Sequence, residues 1–86
     1  MAYRVEIQRS AEKELAALSS TIRTRIFKTI DGLALEPRPN GCKKLSGVKN
    51  AYRVRVGEYR IVYEIYDAVL VVIVIRVAHR REVHRD

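Results

Sequence analysis

Residues 2–7 alternate, with Tyr3, Val5 and Ile7 apolar against Arg4 and Glu6, and this period of two predicts a first strand. The period then lengthens. Ala11, Leu15 and Leu18 recur at i, i+4 and i+7, the stripe of an amphipathic helix. Ser10 is its expected N-cap, and Glu12 and Glu14 fall in the first turn, where the helix dipole favours acids. Ser19-Ser20-Thr21 breaks the stripe and caps a second helix bearing Ile22, Ile26, Phe27, Ile30 and Leu33, which Pro37 and Pro39 are expected to end. Residues 37–50 read as a basic loop, with Arg38, Lys43, Lys44 and Lys49 around Gly41 and Gly47.

The stretch from Tyr52 to Tyr63 returns to period two on both sides of Gly57-Glu58, which predicts a β-hairpin with a two-residue turn. In that register Val56 faces Tyr59, Arg55 faces Arg60, Val54 faces Ile61 and Arg53 faces Val62. Tyr52, Val54, Val56, Tyr59, Ile61 and Tyr63 share one face, and Arg53, Arg55 and Arg60 share the other. A turn at Asp67-Ala68 leads into Val69 to Val77, a β-branched run expected to form a central strand buried on both sides. Residues 78–86 form a tail carrying His79, Arg80, Arg81, His84 and Arg85. The order β-α-α-β-β-β predicts an α+β fold in one domain spanning residues 1–86, with a helix pair on one face of a four-stranded sheet. The apolar face of the hairpin is expected to meet the helices, leaving the arginines on the open face.

Like charges directly opposite one another destabilise a strand pair. Arg55 against Arg60 therefore points to an anion that belongs there. Net charge carries the same message: +7 overall, of which residues 43–86 hold +5. This balance suits a polyanion such as nucleic acid, or an acidic protein, although a basic surface can also serve solubility alone. Cys42 is the only cysteine, which excludes an intrachain disulfide, and one cysteine with two histidines makes a poor metal set. No cofactor motif is visible. Residues 1–7 do not read as a signal peptide, and the longest apolar run, Ala68 to Ile75, is far too short to span a bilayer. The expected location is the cytoplasm.

Lys44-Leu45-Ser46-Gly47, the Tyr-Arg-Val-Arg-Val-Gly-Glu-Tyr-Arg-Ile-Val-Tyr hairpin, the apolar strand after it and the tail from His79 to Arg85 together resemble the RelE/ParE toxin superfamily, the toxin halves of type II toxin–antitoxin pairs. The resemblance runs the whole length. Its RelE branch implies a ribosome-dependent endoribonuclease, an mRNA interferase that cleaves mRNA in the ribosomal A site; its ParE branch implies a DNA gyrase inhibitor. A non-catalytic basic RNA-binding module is the reading from outside the enzymes. The RelE pattern has two basic residues on the first hairpin strand, matching Arg53 and Arg55. It has an arginine opening the next strand, matching Arg60, and another after the last strand, matching Arg80. A C-terminal tyrosine of the pattern corresponds to His84. Relatives often carry lysine where this chain has Arg53 and Arg55. The resemblance further implies a cognate RelB-like antitoxin, acidic or helical and amphipathic, and complexes that can pair into larger assemblies.

RNA cleavage by transesterification needs the 2′-OH deprotonated, the phosphorane charge stabilised and the 5′-oxygen protonated. The resemblance implies that this route runs without a metal ion. Guanidinium forks suit the second task, and their permanent charge makes them poor bases. Imidazole is thus expected to move the proton, with His84 the first candidate and His79 the second. An imidazole set among arginines is held neutral near pH 7, as a general base must be. Arg80 is assigned to the leaving group through its charge. Lys43, Lys44, Lys49, His79 and Arg81 are expected to contact messenger or ribosomal RNA backbone.

Overall fold

The computed structural model describes residues 2–79. Strand β1 (Arg4–Ile7) leads into helices α1 (Arg9–Ala16) and α2 (Ser20–Gly32), followed by strands β2 (Lys43–Lys44), β3 (Ala51–Val56), β4 (Tyr59–Tyr66) and β5 (Val71–His79). The α+β class is as expected, but the sheet has five strands in the order β1-β5-β4-β3-β2. The additional strand is β2, taken from the basic loop and antiparallel to β3 through Lys43↔Arg53 and Lys44↔Tyr52. Two residues are too few to show an alternation, so hydropathy gave no sign of it. β1 pairs parallel with β5, and the remaining pairs are antiparallel.

The hairpin register is the predicted one, from Val56↔Tyr59 to Arg53↔Val62. Gly57 has φ +59° and Glu58 does not share the left-handed region, the pattern of a Gly-first two-residue turn. β5 starts at Val71, two residues later than expected, because Asp67 to Leu70 are taken up by the turn. It is central, and Val71, Val72, Val74, Val77 and Ala78 are buried.

α1 begins at Arg9 with Gln8 as its N-cap, not Ser10. The Gln8 N–H donates to Val74 O at 2.9 Å, so the chain stays bound to the sheet edge until Gln8 and turns into the helix at once. α2 starts after Ser19 as expected, yet it ends at Gly32, well before Pro37. Glycine is a weak helix former, and the next two N–H groups bond three residues back, Leu33 to Ile30 and Ala34 to Asp31, tightening the last turn. Among the described residues no helix is long and apolar enough to cross a membrane.

The core lies between the helices and one sheet face: Ala11, Leu15, Ile26, Ile30 and Leu33 against Val54, Ile61, Tyr63, Ile65, Val72, Val74 and Val77. Burying each large apolar side chain contributes about 1.5–3 kcal/mol. Phe27, expected in the α2 stripe, is instead 39% exposed and flanks a groove with Ile7, Leu15 and Ala16. Ile75 is an extra residue in β5, between the pairs Val62↔Arg76 and Tyr63↔Val74. Just past this bulge, where β5 has outrun β1, the Val77 N–H donates to Glu14 Oε1 at 2.7 Å. Helix α1 thus supplies a carboxylate to a strand edge that β1 leaves unpaired.

The basic loop is fastened at its start. Buried Tyr63 donates its hydroxyl to Pro37 O at 2.8 Å, and burial pushes that phenol well above its usual range. Asp67, in the β4–β5 turn, accepts from Arg38 Nη2 at 2.8 Å, from Arg38 Nη1 at 3.2 Å and from the Tyr3 hydroxyl at 2.5 Å. These hydrogen bonds, Arg38's foremost, hold the Asp67 carboxyl at about 2, below its ordinary 3.8. A carboxyl with a depressed folded-state pKa stabilises the fold above its unfolded pKa. That contribution is lost as pH falls through the folded value. The difference in Tm between the wild-type chain and Asp67→Asn is therefore expected to hold steady from neutral pH to about pH 4 and to narrow toward about pH 2. A gap of undiminished size at the acid end would show that the carboxylate is not its source.

Candidate nucleic-acid interface

Paired residues of an antiparallel sheet point to the same face, so the registers locate each basic side chain. Arg53 lies between Lys43 on β2 and Val62 on β4, while Arg55 lies opposite Arg60, which in turn neighbours Ala78 on β5. Lys43, Arg53, Arg55 and Arg60 therefore occupy one patch across three strands, on the face away from the helices. Strands lie about 4.8 Å apart and residues i and i+2 about 6.6 Å apart, so these four cations converge within the reach of a few phosphates.

The face is less open than the hairpin pattern implies. Arg55 is exposed, but Arg53 and Arg60 are only 6% and 8% exposed, beside Val62 and Ala78 at 6% and 4%. Neither buried arginine is a bare charge, since each takes part in a further polar or electrostatic contact. Burying a guanidinium is costly unless it is compensated. The same desolvation strengthens attraction to any phosphate that reaches it, because charges interact more strongly at low dielectric.

The remaining expected contacts are distributed unevenly. Lys44 pairs with Tyr52 and so faces the helix side, its Nζ 5.3 Å from the Tyr52 ring centroid. Arg38 approaches the same ring at 5.1 Å, and its Nε donates to the Tyr52 hydroxyl at 3.3 Å. Lys49 is exposed in the turn before Asn50, whose φ is +66°. His79 pairs with Tyr59, and the two rings meet edge to face at 5.4 Å. This places His79 on the face opposite Arg53, Arg55 and Arg60. Arg80, Arg81 and His84 lie outside the described residues. Tyr52 and Tyr63 stack with centroids 6.2 Å apart and belong to the core side, as their parity predicts.

Two features near this surface had no readable signal in the chain. The Arg38–Asp67 pair joins residues 29 apart in two loops, and loops carry no periodicity. The Glu14 contact depends on a bulge that shifts the register of β5.

Comparison with known proteins places this geometry. Residues 5–84 match the family described as the ParE toxin of the type II toxin–antitoxin system, parDE. The chain is 34% identical over 82 residues to the mRNA interferase toxin RelE of Escherichia coli strain K12, covering 93% of this chain and 85% of that protein. The archaeal RelE–RelB complex from Pyrococcus horikoshii OT3 contains a chain similar in structure, with a TM-score of 0.83 and 30% identity over 93% of this chain and 97% of that one. A chain of the intact E. coli RelBE toxin–antitoxin complex is similar at a TM-score of 0.80 and 32% identity, over 91% of this chain and 96% of that one. With the order of elements, the hairpin register and the sequence match all in agreement over nearly the whole length, the chain belongs to the RelE/ParE superfamily of toxins from type II toxin–antitoxin systems.

Proposed function

We propose that this chain is the toxin of a type II toxin–antitoxin pair and acts as an mRNA interferase, cleaving messenger RNA on the ribosome. The observation that carries the reading is the patch of Lys43, Arg53, Arg55 and Arg60 on one sheet face, assembled across three strands. Its likeness to proteins named as mRNA interferases supports the same activity. Arg53, Arg55 and Arg60 clamp the scissile phosphate and stabilise the charge that develops on the phosphorane. His84 takes the proton from the 2′-OH. The 2′-oxygen attacks phosphorus and the bond to the 5′-oxygen breaks, with Arg80 offsetting the negative charge on that oxygen until it takes a proton from water. The products are a 2′,3′-cyclic phosphate and a 5′-hydroxyl. In this scheme side chains and water perform the transesterification.

The partner is an antitoxin whose helical or acidic segments fit the basic surface, as the similar RelE chains occur in complexes with RelB. The working location is the cytoplasm, where ribosomes are. Primer extension on cellular mRNA after induction of this chain alone tests the reading. New 5′ ends within translated codons are expected within minutes of induction. The ParE description of the matching family favours a second reading, inhibition of DNA gyrase. Intact mRNA together with DNA breaks would establish that one instead.

A further inference from the structure

The hairpin tip has a neighbour on the helix side. A methyl group placed on Gly57 would lie 3.5 and 3.6 Å from the terminal nitrogens of Arg25, so the α2 guanidinium is parked against the turn where no side chain intervenes. Arg25 is exposed. Among the described residues its guanidinium forms no hydrogen bond or ion pair. Asp31 is the single acid in Ser20–Gly32, against Arg23, Arg25 and Lys28. A purely structural arginine here would be expected to bond a turn carbonyl or a carboxylate, and Arg25 does neither.

We propose that Arg25 is an RNA phosphate contact at the hairpin tip, carrying the basic track from the exposed Arg55 around Gly57 to the helix side. The ligand class is the phosphodiester backbone of a single-stranded RNA that passes over the tip. Gly57 keeps the track continuous: its positive φ suits the turn, and its lack of a side chain leaves the peptide and the guanidinium accessible together. The contact is sequence-independent, since phosphate contacts position a strand without reading it. The proposal rests on the RNA reading given above.

The test is the salt dependence of binding to a short labelled single-stranded RNA, measured by anisotropy. For single strands each phosphate contact contributes a slope of about 0.7 in log K against log salt. Arg25→Ala is expected to lower the slope by that amount, so that a fourfold rise in salt weakens the variant about 2.6-fold less than the wild type. Arg25→Lys should retain the slope. Lys13→Ala, on α1, removes one exposed charge outside the proposed track and should leave the slope unchanged, and the Tm of all three variants should match that of the wild type. An equal fall in slope for Lys13→Ala, or an unchanged slope for Arg25→Ala with normal wild-type binding, overturns the tip contact alone. Absence of salt-dependent binding by the wild-type chain overturns the RNA reading and the tip contact with it.

Discussion

Arg60→Ala is expected to lower single-turnover cleavage of ribosome-bound mRNA by about 10²–10³-fold, the usual loss when one preorganised donor to a developing oxyanion is removed. Arg60 is singled out by its place on the sheet. It sits on β4 at the border of the patch nearest β5, between Arg55 on β3 and the small side chain of Ala78 on β5. It is also buried, so its charge acts through a medium of lower dielectric than that around exposed Arg55. Arg60→Lys should keep the charge and recover part of the rate, because it loses the two-pronged geometry of the guanidinium. Burial means that both variants need a thermal melt beside the kinetics. A well-folded Arg60→Ala chain that cleaves within about threefold of wild type would remove this face from the chemistry.

His84→Ala is expected to cost about 10²–10⁴-fold in the same assay, the range for loss of a general base. The matching His79→Ala should cost less than about threefold. The two histidines are equivalent by residue type, and register sets His79 aside: it pairs with Tyr59 on the helix side, away from the arginine patch. His84→Tyr, which installs the residue that the RelE pattern carries, should recover activity and alter the pH–rate profile on its acid side, where imidazole gains its proton. If His79→Ala proves the damaging change, the base lies on the other face and the assignment of the arginines must move with it.

Much of the architecture was legible because it rests on local rules. Ile26 and Ile30 mark the α2 stripe, and the alternation about Gly57-Glu58 placed Arg55 opposite Arg60 without further information. Strand β2 was not legible, since Lys43 and Lys44 become a strand only when β3 offers them partners. The N-cap of α1 moved from Ser10 to Gln8 for a related reason: a hydrogen bond to Val74, distant in sequence, decides where the helix starts.

The candidate site divides along the same line. Sequence by itself determined which residues carry charge and which face of the hairpin each occupies, because side-chain parity on a strand is a property of the backbone alone. Tertiary structure decided their environment. It brought Lys43 alongside Arg53 and sent Lys44 to Tyr52, buried Arg53 and Arg60 while leaving Arg55 in solvent, turned His79 away, and set Arg25 against the hairpin tip. Burial, charge convergence and contacts between residues tens of positions apart depend on how elements pack, and no local pattern of hydropathy encodes them.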